Sequence, residues 1–231
     1  MLRVTNALGR LAPAALLVAL LVALSPDVPT AQGVVTVRGR VTIGIPVSTQ
    51  RPVNTYSRAA REVTLAPVSE LRNVVVYLKD GPRIDVAPTR AEIRQVNETF
   101  IPRAVAVTVG SEVSFPNGDP FYHNVFSLSR PRTFDLGRYP TGQTRTVRFD
   151  KPGLIKVFCQ IHSHMSASVM VFDHPWFAVP DGEGRFELND VPPGARSLVA
   201  WHERLGETAV SVRLDAGRAS TVDFVLPVPQ Q

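Results

Sequence analysis

One short stretch concentrates most of the metal-binding chemistry of this 231-residue chain. Residues 158–165 read Phe-Cys-Gln-Ile-His-Ser-His-Met. They contain the only cysteine, two of the five histidines and one of the three methionines. Strand-like sequences flank the stretch on both sides, so we predict a tight strand-to-strand loop that gathers Cys159, His162 and Met165 around one point.

A second imidazole completes a recognisable donor set. His123 lies in the strand-like segment 121–127, Phe-Tyr-His-Asn-Val-Phe-Ser. Two imidazoles, one thiolate and one weak thioether are the donors of trigonal copper electron-transfer sites. His164 is an alternative to His162, but it leaves no room before Met165, and we interpret it as a solvent-facing neighbour. A lone cysteine is also common as a small buried hydrophobic residue, which is the simpler alternative.

Several motifs of this region occur together in a familiar order. They are Phe-Ile-Pro at 100–102, Val-Gly-Ser-Glu-Val-Ser-Phe-Pro-Asn at 109–117, His-Asn-Val at 123–125, Pro-Gly at 152–153 and the Cys-x2-His-x2-Met loop. Residues 92–172 thereby resemble a cupredoxin, a blue-copper protein of the plastocyanin and amicyanin kind. The resemblance implies His123, Cys159 and His162 as equatorial ligands and Met165 as the axial ligand of one type 1 copper. It also implies that Asn124 braces the Cys159 loop through hydrogen bonds.

The first 31 residues have the composition of a secretory signal peptide. Two arginines precede an apolar run at 11–24, and small residues near Ala31 and Gly33 offer cleavage points. The run has about fourteen apolar residues, fewer than the roughly 20 that a spanning helix needs. We therefore expect a periplasmic or secreted protein without a membrane span after cleavage. An uncleaved anchor is the alternative.

Charge and cysteine content exclude several classes of function. The 25 basic and 20 acidic residues give a net charge of +5, without the basic, aromatic-rich stripe of a nucleic-acid-binding protein. One cysteine cannot form an internal disulfide, and it excludes a dinuclear copper centre bridged by two thiolates, a zinc ribbon and covalent haem attachment. His174 and His202 stand apart from other ligand types, and we interpret them as packed or solvated surface residues.

Alternation of apolar and polar residues predicts strands and no convincing helix after residue 34. The predicted strands lie at 34–43, 71–79, 91–97, 104–109, 111–115, 144–149, 154–158, 166–172, 185–188, 196–202, 208–214 and 220–226, with one extended piece at 62–65. Within them, Ile155, Val157 and Cys159 share one face, so we expect the thiol to point inward. The fold class predicted is all-β.

The two flanks of the cupredoxin-like region read as one domain. The segments Asp-Gly-Glu-Gly-Arg-Phe-Glu-Leu and Val-Pro-Pro-Gly-Ala-Arg-Ser-Leu resemble a carboxypeptidase-regulatory-like, or prealbumin-like, β-sandwich. We expect residues 34–80 and 174–228 to form this sandwich, with a Greek-key cupredoxin at 85–173 inserted between its strands. A tandem order of the two sandwiches is the alternative.

These features favour a one-electron carrier. Four ligands fill the coordination shell and leave no position for a substrate, which argues against an enzyme. Ile161, Phe121 and Tyr122 are expected to form an apolar docking patch near His162. The whole chain also resembles methylamine-utilisation proteins, which implies a quinoprotein dehydrogenase or a cytochrome c as redox partner. The alternative is a non-redox copper-binding or partner-binding module at the cell envelope.

Overall fold

The computed structural model describes residues 33–44 and 70–227, and it confirms an all-β chain. The one helical element in these ranges is a 3₁₀ turn at Glu70–Asn73. Within the same ranges, no helix has the length and apolar character needed to cross a membrane. The predicted signal peptide and the extended piece at 62–65 lie outside the described residues.

Eighteen strands follow one another through the described ranges. Before residue 85 they are β1 (Val35–Ile43) and β2 (Val74–Leu78). Between residues 85 and 173 they are β3 (Arg90–Glu92), β4 (Arg94–Gln95), β5 (Phe100–Ile101), β6 (Ala104–Thr108), β7 (Ser111–Pro116), β8 (His123–Ser127), β9 (Phe134–Tyr139), β10 (Thr144–Phe149), β11 (Gly153–Phe158) and β12 (Ser166–Phe172). After residue 173 they are β13 (Phe177–Ala178), β14 (Arg185–Val191), β15 (Gly194–His202), β16 (Gly206–Leu214), β17 (Ser220–Thr221) and β18 (Phe224–Leu226).

Strands from both ends of the chain form what we call the flanking sandwich. Its first sheet has the order β14-β1-β17, with β18 also paired to β1. Its second sheet has the order β13-β2-β15-β16. One core fills the space between the two sheets, because alternate apolar side chains of β1, β2, β14 and β15 point into it. Strands on either side of residues 85–173 therefore share both sheets and this core.

Residues 85–173 form a second pair of sheets, which we call the middle sandwich. One sheet has the order β10-β7-β3 and the other has the order β6-β12-β11-β8-β9. Its core includes the fully buried rings of Phe100, Phe115, Phe149 and Tyr139. Cys159 and Met165 lie at the edge of the same cluster of buried residues, so the proposed sulfur donors sit where water is scarce.

The two sandwiches pack directly on each other within one compact unit of residues 32–231. Strand β12 is buried on both faces, since its outer residues Met170 and Phe172 contact Val75 and Tyr77 of β2. The backbone N–H of Arg103 donates to the side-chain oxygen of Asn73 at 2.9 Å. These contacts hold the middle sandwich against the flanking one.

Some strand predictions are wrong in detail. Residues 71–73 belong to the 3₁₀ turn, because the Glu70 carboxylate accepts a hydrogen bond from Asn73 and tightens the chain there. The predicted strand at 220–226 is broken after Thr221, where the N–H of Val222 turns to the carbonyl of Arg38. Strand β9 was not predicted, since only its first four residues alternate in burial and Tyr139 is its one buried side chain.

Candidate metal centre

His123, Cys159 and His162 bring their donor atoms together at one end of the middle sandwich. The Nδ1 atoms of the two histidines lie 3.1 Å apart. Each of these nitrogens lies 3.8 Å from Cys159 Sγ. Among the described residues, this is the one group of three histidine, cysteine or acidic side chains with converging donor atoms.

The triangle formed by these two nitrogens and the sulfur has the size needed to hold a metal ion. Three atoms at these separations have a common centre roughly 2.1 Å from each of them. Metal–imidazole and metal–thiolate bonds are about 2.0 to 2.3 Å long. The thiolate and the two imidazoles are the equatorial donors of trigonal copper sites. The residues present therefore suit copper in both size and chemistry.

Strand β11 and the loop that follows it place the sulfur. Ile155 and Val157 are fully buried and Cys159 is 3% exposed, so the predicted inward face of this strand is present. Pairing of Phe158 with Ser166 closes a loop of seven residues between β11 and β12. Backbone hydrogen bonds from Cys159 N to Met165 O and from Met165 N to His162 O keep the loop compact.

Met165 is 1% exposed and packs in the same cluster as Cys159. Its side chain therefore lies on the buried side of the loop. This position is compatible with the axial role that the sequence predicts. We keep that role as a prediction.

The surroundings of Cys159 favour the thiolate. Burial raises the pKa of the thiol, but hydrogen bonds from His123, from the backbone N–H groups of Asn124 and His162 and from the His162 ring outweigh it. The net effect lowers the pKa of Cys159 to about 6. Since the thiolate is the form that binds metals, the site is electrostatically prepared for a cation.

His123 has a carboxylate partner that the sequence analysis missed. Its Nε2 lies 2.7 Å from Asp119 Oδ2, and both side chains are buried. Burial lowers the pKa of His123, but the hydrogen bonds with Asp119 and Cys159 outweigh it and raise the pKa to about 9. Asp119 lies in Asn-Gly-Asp-Pro at 117–120, which reads as a turn. Its position four residues before His123 is the one signal that the sequence offers.

Asn124 makes the expected bracing contact. Its Oδ1 accepts a hydrogen bond from the backbone N–H of Gln160 at 3.3 Å. Its Nδ2 donates to Asp135 on β9 at 2.7 Å. Asn124 thus ties the residue after Cys159 to the neighbouring strands, which restricts movement of the thiolate.

The surface beside His162 is apolar. His162 is half-buried, and its ring centroid lies 5.5 Å from that of Phe121. Next to them, Tyr122 is 56% exposed and Ile161 is 40% exposed. Phe121 therefore packs beside the most exposed member of the cluster, and Tyr122 and Ile161 are the neighbours of these two residues in sequence.

The other histidines lie elsewhere. His174 is 4% exposed and stacks on Trp176 in the flanking region. His202 is 2% exposed, and its Nε2 lies 3.2 Å from Glu70 Oε2. Both are packed residues, as one of the two sequence interpretations expects, and neither is solvated. Neither belongs to the metal cluster.

Comparison with known proteins finds similarity in solved structures alone. No family model and no curated protein sequence matches the chain. A copper-containing nitrite reductase from Thermus scotoductus is 24% identical with a TM-score of 0.35, over 38% of this chain and 23% of that one. A purple cupredoxin from Nitrosopumilus maritimus is 22% identical with a TM-score of 0.33, over 36% of this chain and 99% of that one. Amicyanin from Paracoccus versutus is 19% identical with a TM-score of 0.33, over 42% of this chain and 97% of that one. None of these three overlaps reaches half of the present chain, and we infer function from the geometry of the site.

Proposed function

We propose that this chain is a type 1 copper protein that carries single electrons between redox proteins in the periplasm or outside the cell. One observation carries the proposal: the imidazole nitrogens of His123 and His162 and the sulfur of Cys159 converge at metal-binding distances. Met165 is proposed as the weak axial ligand. The envelope location depends on the N-terminal sequence alone.

Copper bound here would supply one-electron oxidation and reduction, because the sulfur donors suit Cu(I) and the imidazoles accept Cu(II). The chain's own contribution is a rigid frame for both oxidation states. Cys159 and His123 are buried in the sandwich. Asn124 accepts a hydrogen bond from the N–H of Gln160, next to Cys159, and Asp119 is hydrogen-bonded to the His123 ring, so both side chains are restricted. A frame that changes little between the two states lowers the reorganisation needed for each electron transfer.

His162 is the proposed point of electron exchange. It is the most solvent-accessible of the three donors in the cluster, and the Phe121 ring packs beside it, with exposed Ile161 and Tyr122 adjacent in sequence. A small apolar patch of this kind suits short-lived docking, since electron-transfer complexes bury little surface. We propose that a cytochrome c or a quinoprotein dehydrogenase docks there.

Reconstitution with Cu(II) tests the proposal directly. We expect one copper per chain, an intense thiolate-to-copper charge-transfer band, and loss of the colour on reduction with its return on oxidation. Exchange of electrons with a cytochrome c, followed by stopped-flow absorbance, tests the carrier role. A colourless protein at full copper occupancy would contradict the type 1 assignment.

The alternative is a non-redox module in which copper is stored or structural. Such a protein would bind copper without reversible bleaching, or would bleach without exchanging electrons with any redox protein. Measuring colour and electron exchange on the same preparation separates the two functions.

A further inference from the structure

The side of the His123 ring that faces away from the cluster is hydrogen-bonded to a buried carboxylate. Its ring is fully buried, and Nε2 lies 2.7 Å from Asp119 Oδ2. With Nε2–H donated to the carboxylate, Nδ1 is the nitrogen that can give up its proton and bind a metal. Nδ1 is the atom that points toward Cys159 and His162.

A tight turn holds the carboxylate in its place. Val96 and Thr99 exchange two backbone hydrogen bonds of 3.0 and 3.1 Å, which close the turn. The two residues between them, Asn97 and Glu98, both have φ of 52°, in the left-handed region. Their N–H groups point at Asp119, with distances of 2.5 Å to Oδ1 and 2.9 Å to Oδ2. Successive backbone N–H groups of this kind form an anion-binding concavity.

The backbone of Asp119 is fixed as well. Its N–H donates to Asn117 Oδ1 at 2.9 Å, and its carbonyl accepts a hydrogen bond from the Thr141 hydroxyl. Asn117 in turn donates to the carbonyls of Phe121 and Tyr139. The carboxylate thus accepts three N–H groups from two different segments, the acceptor-only pattern of an ionised acid.

We propose that Asp119 is the positioning residue of the metal centre. It holds the Nε2–H of His123 and so leaves Nδ1 of the same ring to bind the metal. The turn at Asn97 and Glu98 acts through Asp119 and holds it from 22 residues away in sequence. A buried carboxylate against the imidazole also strengthens its donation to a metal, which favours the higher oxidation state. The electrochemical part rests on the proposed copper function, whereas the tautomer does not.

The first test uses the full chain with zinc(II), which is diamagnetic and takes the same donors. Long-range ¹H–¹⁵N spectra of the wild-type protein report which ring nitrogen of His123 carries the proton. We expect a slowly exchanging, strongly downfield Nε2–H and a metal-bound Nδ1. Metal bound through Nε2, with the proton on Nδ1, would overturn the proposal.

The second test is Asp119→Asn, which keeps the shape and removes the charge. We expect the ratio of Cu(II) to Cu(I) affinity to fall about tenfold, which raises the reduction potential by about 59 mV for one electron. Exchange of the His123 Nε2–H should become faster in the zinc form. The wild-type zinc spectrum remains decisive if this variant does not fold.

Asp150→Asn is the control. Asp150 is an exposed carboxylate of the middle sandwich, and its side chain accepts a hydrogen bond from Arg148. Its removal should shift the potential by less than a third of the Asp119→Asn effect and leave the His123 proton unchanged. Equal shifts in both variants would show a general charge effect and overturn the positioning role. If the wild-type protein binds zinc with the expected tautomer but gives no coloured copper form, the proposed function fails while this inference stands.

Discussion

The rings of His162 and His164 have centroids 6.2 Å apart and bind different partners. His162 Nδ1 lies 3.1 Å from His123 Nδ1, inside the cluster. His164 Nε2 lies 3.1 Å from the backbone oxygen of Glu98, on the exposed side of the loop. The two rings point in opposite directions although one residue separates them, so of these two histidines His162 faces the proposed metal.

We therefore expect His162→Ala to abolish or radically change the visible and electron-paramagnetic spectra of the copper form. His164→Ala should leave both spectra nearly intact, because its ring makes no contact with the donor atoms of the cluster. The two variants serve as controls for each other. The reverse result would show that the assignment of the second imidazole is wrong.

Met165→Leu tests the proposed axial ligand. Leucine has nearly the volume of methionine, so the buried loop should lose less than about 1.5 kcal/mol of stability. The copper form should keep its colour, since three strong donors remain, while its reduction potential shifts as the weak thioether is lost. Voltammetry and copper analysis check this together. Release of copper from the variant would mean that Met165 contributes more to binding than proposed.

Glu70 makes the stability of the flanking sandwich depend on pH. A hydrogen bond from His202 lowers the pKa of Glu70 to about 2, helped by Asn73 and Arg204 and opposed by burial. The folded-state pKa lies below the unfolded value of 4.5. This contribution is therefore present in full above pH 4.5 and is lost as the pH falls toward 2. We expect a loss on the order of 2 kcal/mol in unfolding free energy over that range, measured by urea unfolding.

Glu70→Gln provides the comparison for this measurement. The amide keeps the size of the side chain but cannot ionise, so the variant should be less stable than the wild type at pH 6. The difference between the two proteins should shrink below pH 4.5. Parallel stability curves down to pH 2 would show that Glu70 does not contribute through its charge.

The proposed insertion can be tested by excision. The N–H of Ile84 donates to the carbonyl of Asp173 at 3.1 Å, so the two connections of the middle sandwich are adjacent. Replacement of residues 84–174 by a short glycine-rich turn should leave a folded flanking sandwich, because closing a loop costs only about 0.6 kcal/mol per doubling of its length. Residues 85–173 alone should bind copper and turn blue. Both pieces should melt at lower temperatures than the whole chain, since contacts such as Met170 on Val75 are lost.

Calorimetry of the two pieces checks this arrangement. If the joined flanks stay unfolded while residues 85–231 fold without residues 34–80, the two sandwiches follow each other in tandem. Soluble, cooperative melting of both pieces supports insertion.

Features that depend on residues close together in the chain could be predicted from the sequence. The inward face of Ile155, Val157 and Cys159 follows from alternation along one strand, which any neighbouring sheet must respect. The three donors of the cluster could be named from spacing and residue type, because few combinations of side chains suit copper. The direction of His164 followed from the short distance to Met165.

Contacts between distant segments could not be predicted in this way. Asp119 looks like an ordinary turn residue, and its function appears only when the N–H groups of Asn97 and Glu98 meet its carboxylate. Strand β9 escaped prediction because its alternation covers only residues 134–137, and Tyr139 is its one buried side chain. The apolar run at 169–172 in β12 agrees with burial on both faces, but it does not reveal that β2 of the flanking sandwich covers the outer face.

The pairing of β1 with β18 has a mechanical consequence. The two strands run parallel through Val41 and Phe224, one near each end of the described chain. Pulling on the two ends would load their hydrogen bonds in shear, so several must break at once before the strands separate. The middle sandwich joins the rest through two neighbouring connections at Ile84 and Asp173. Tension would therefore bypass the middle sandwich until the flanking one yields, and the proposed copper ligands would be the last part of the protein to be stretched.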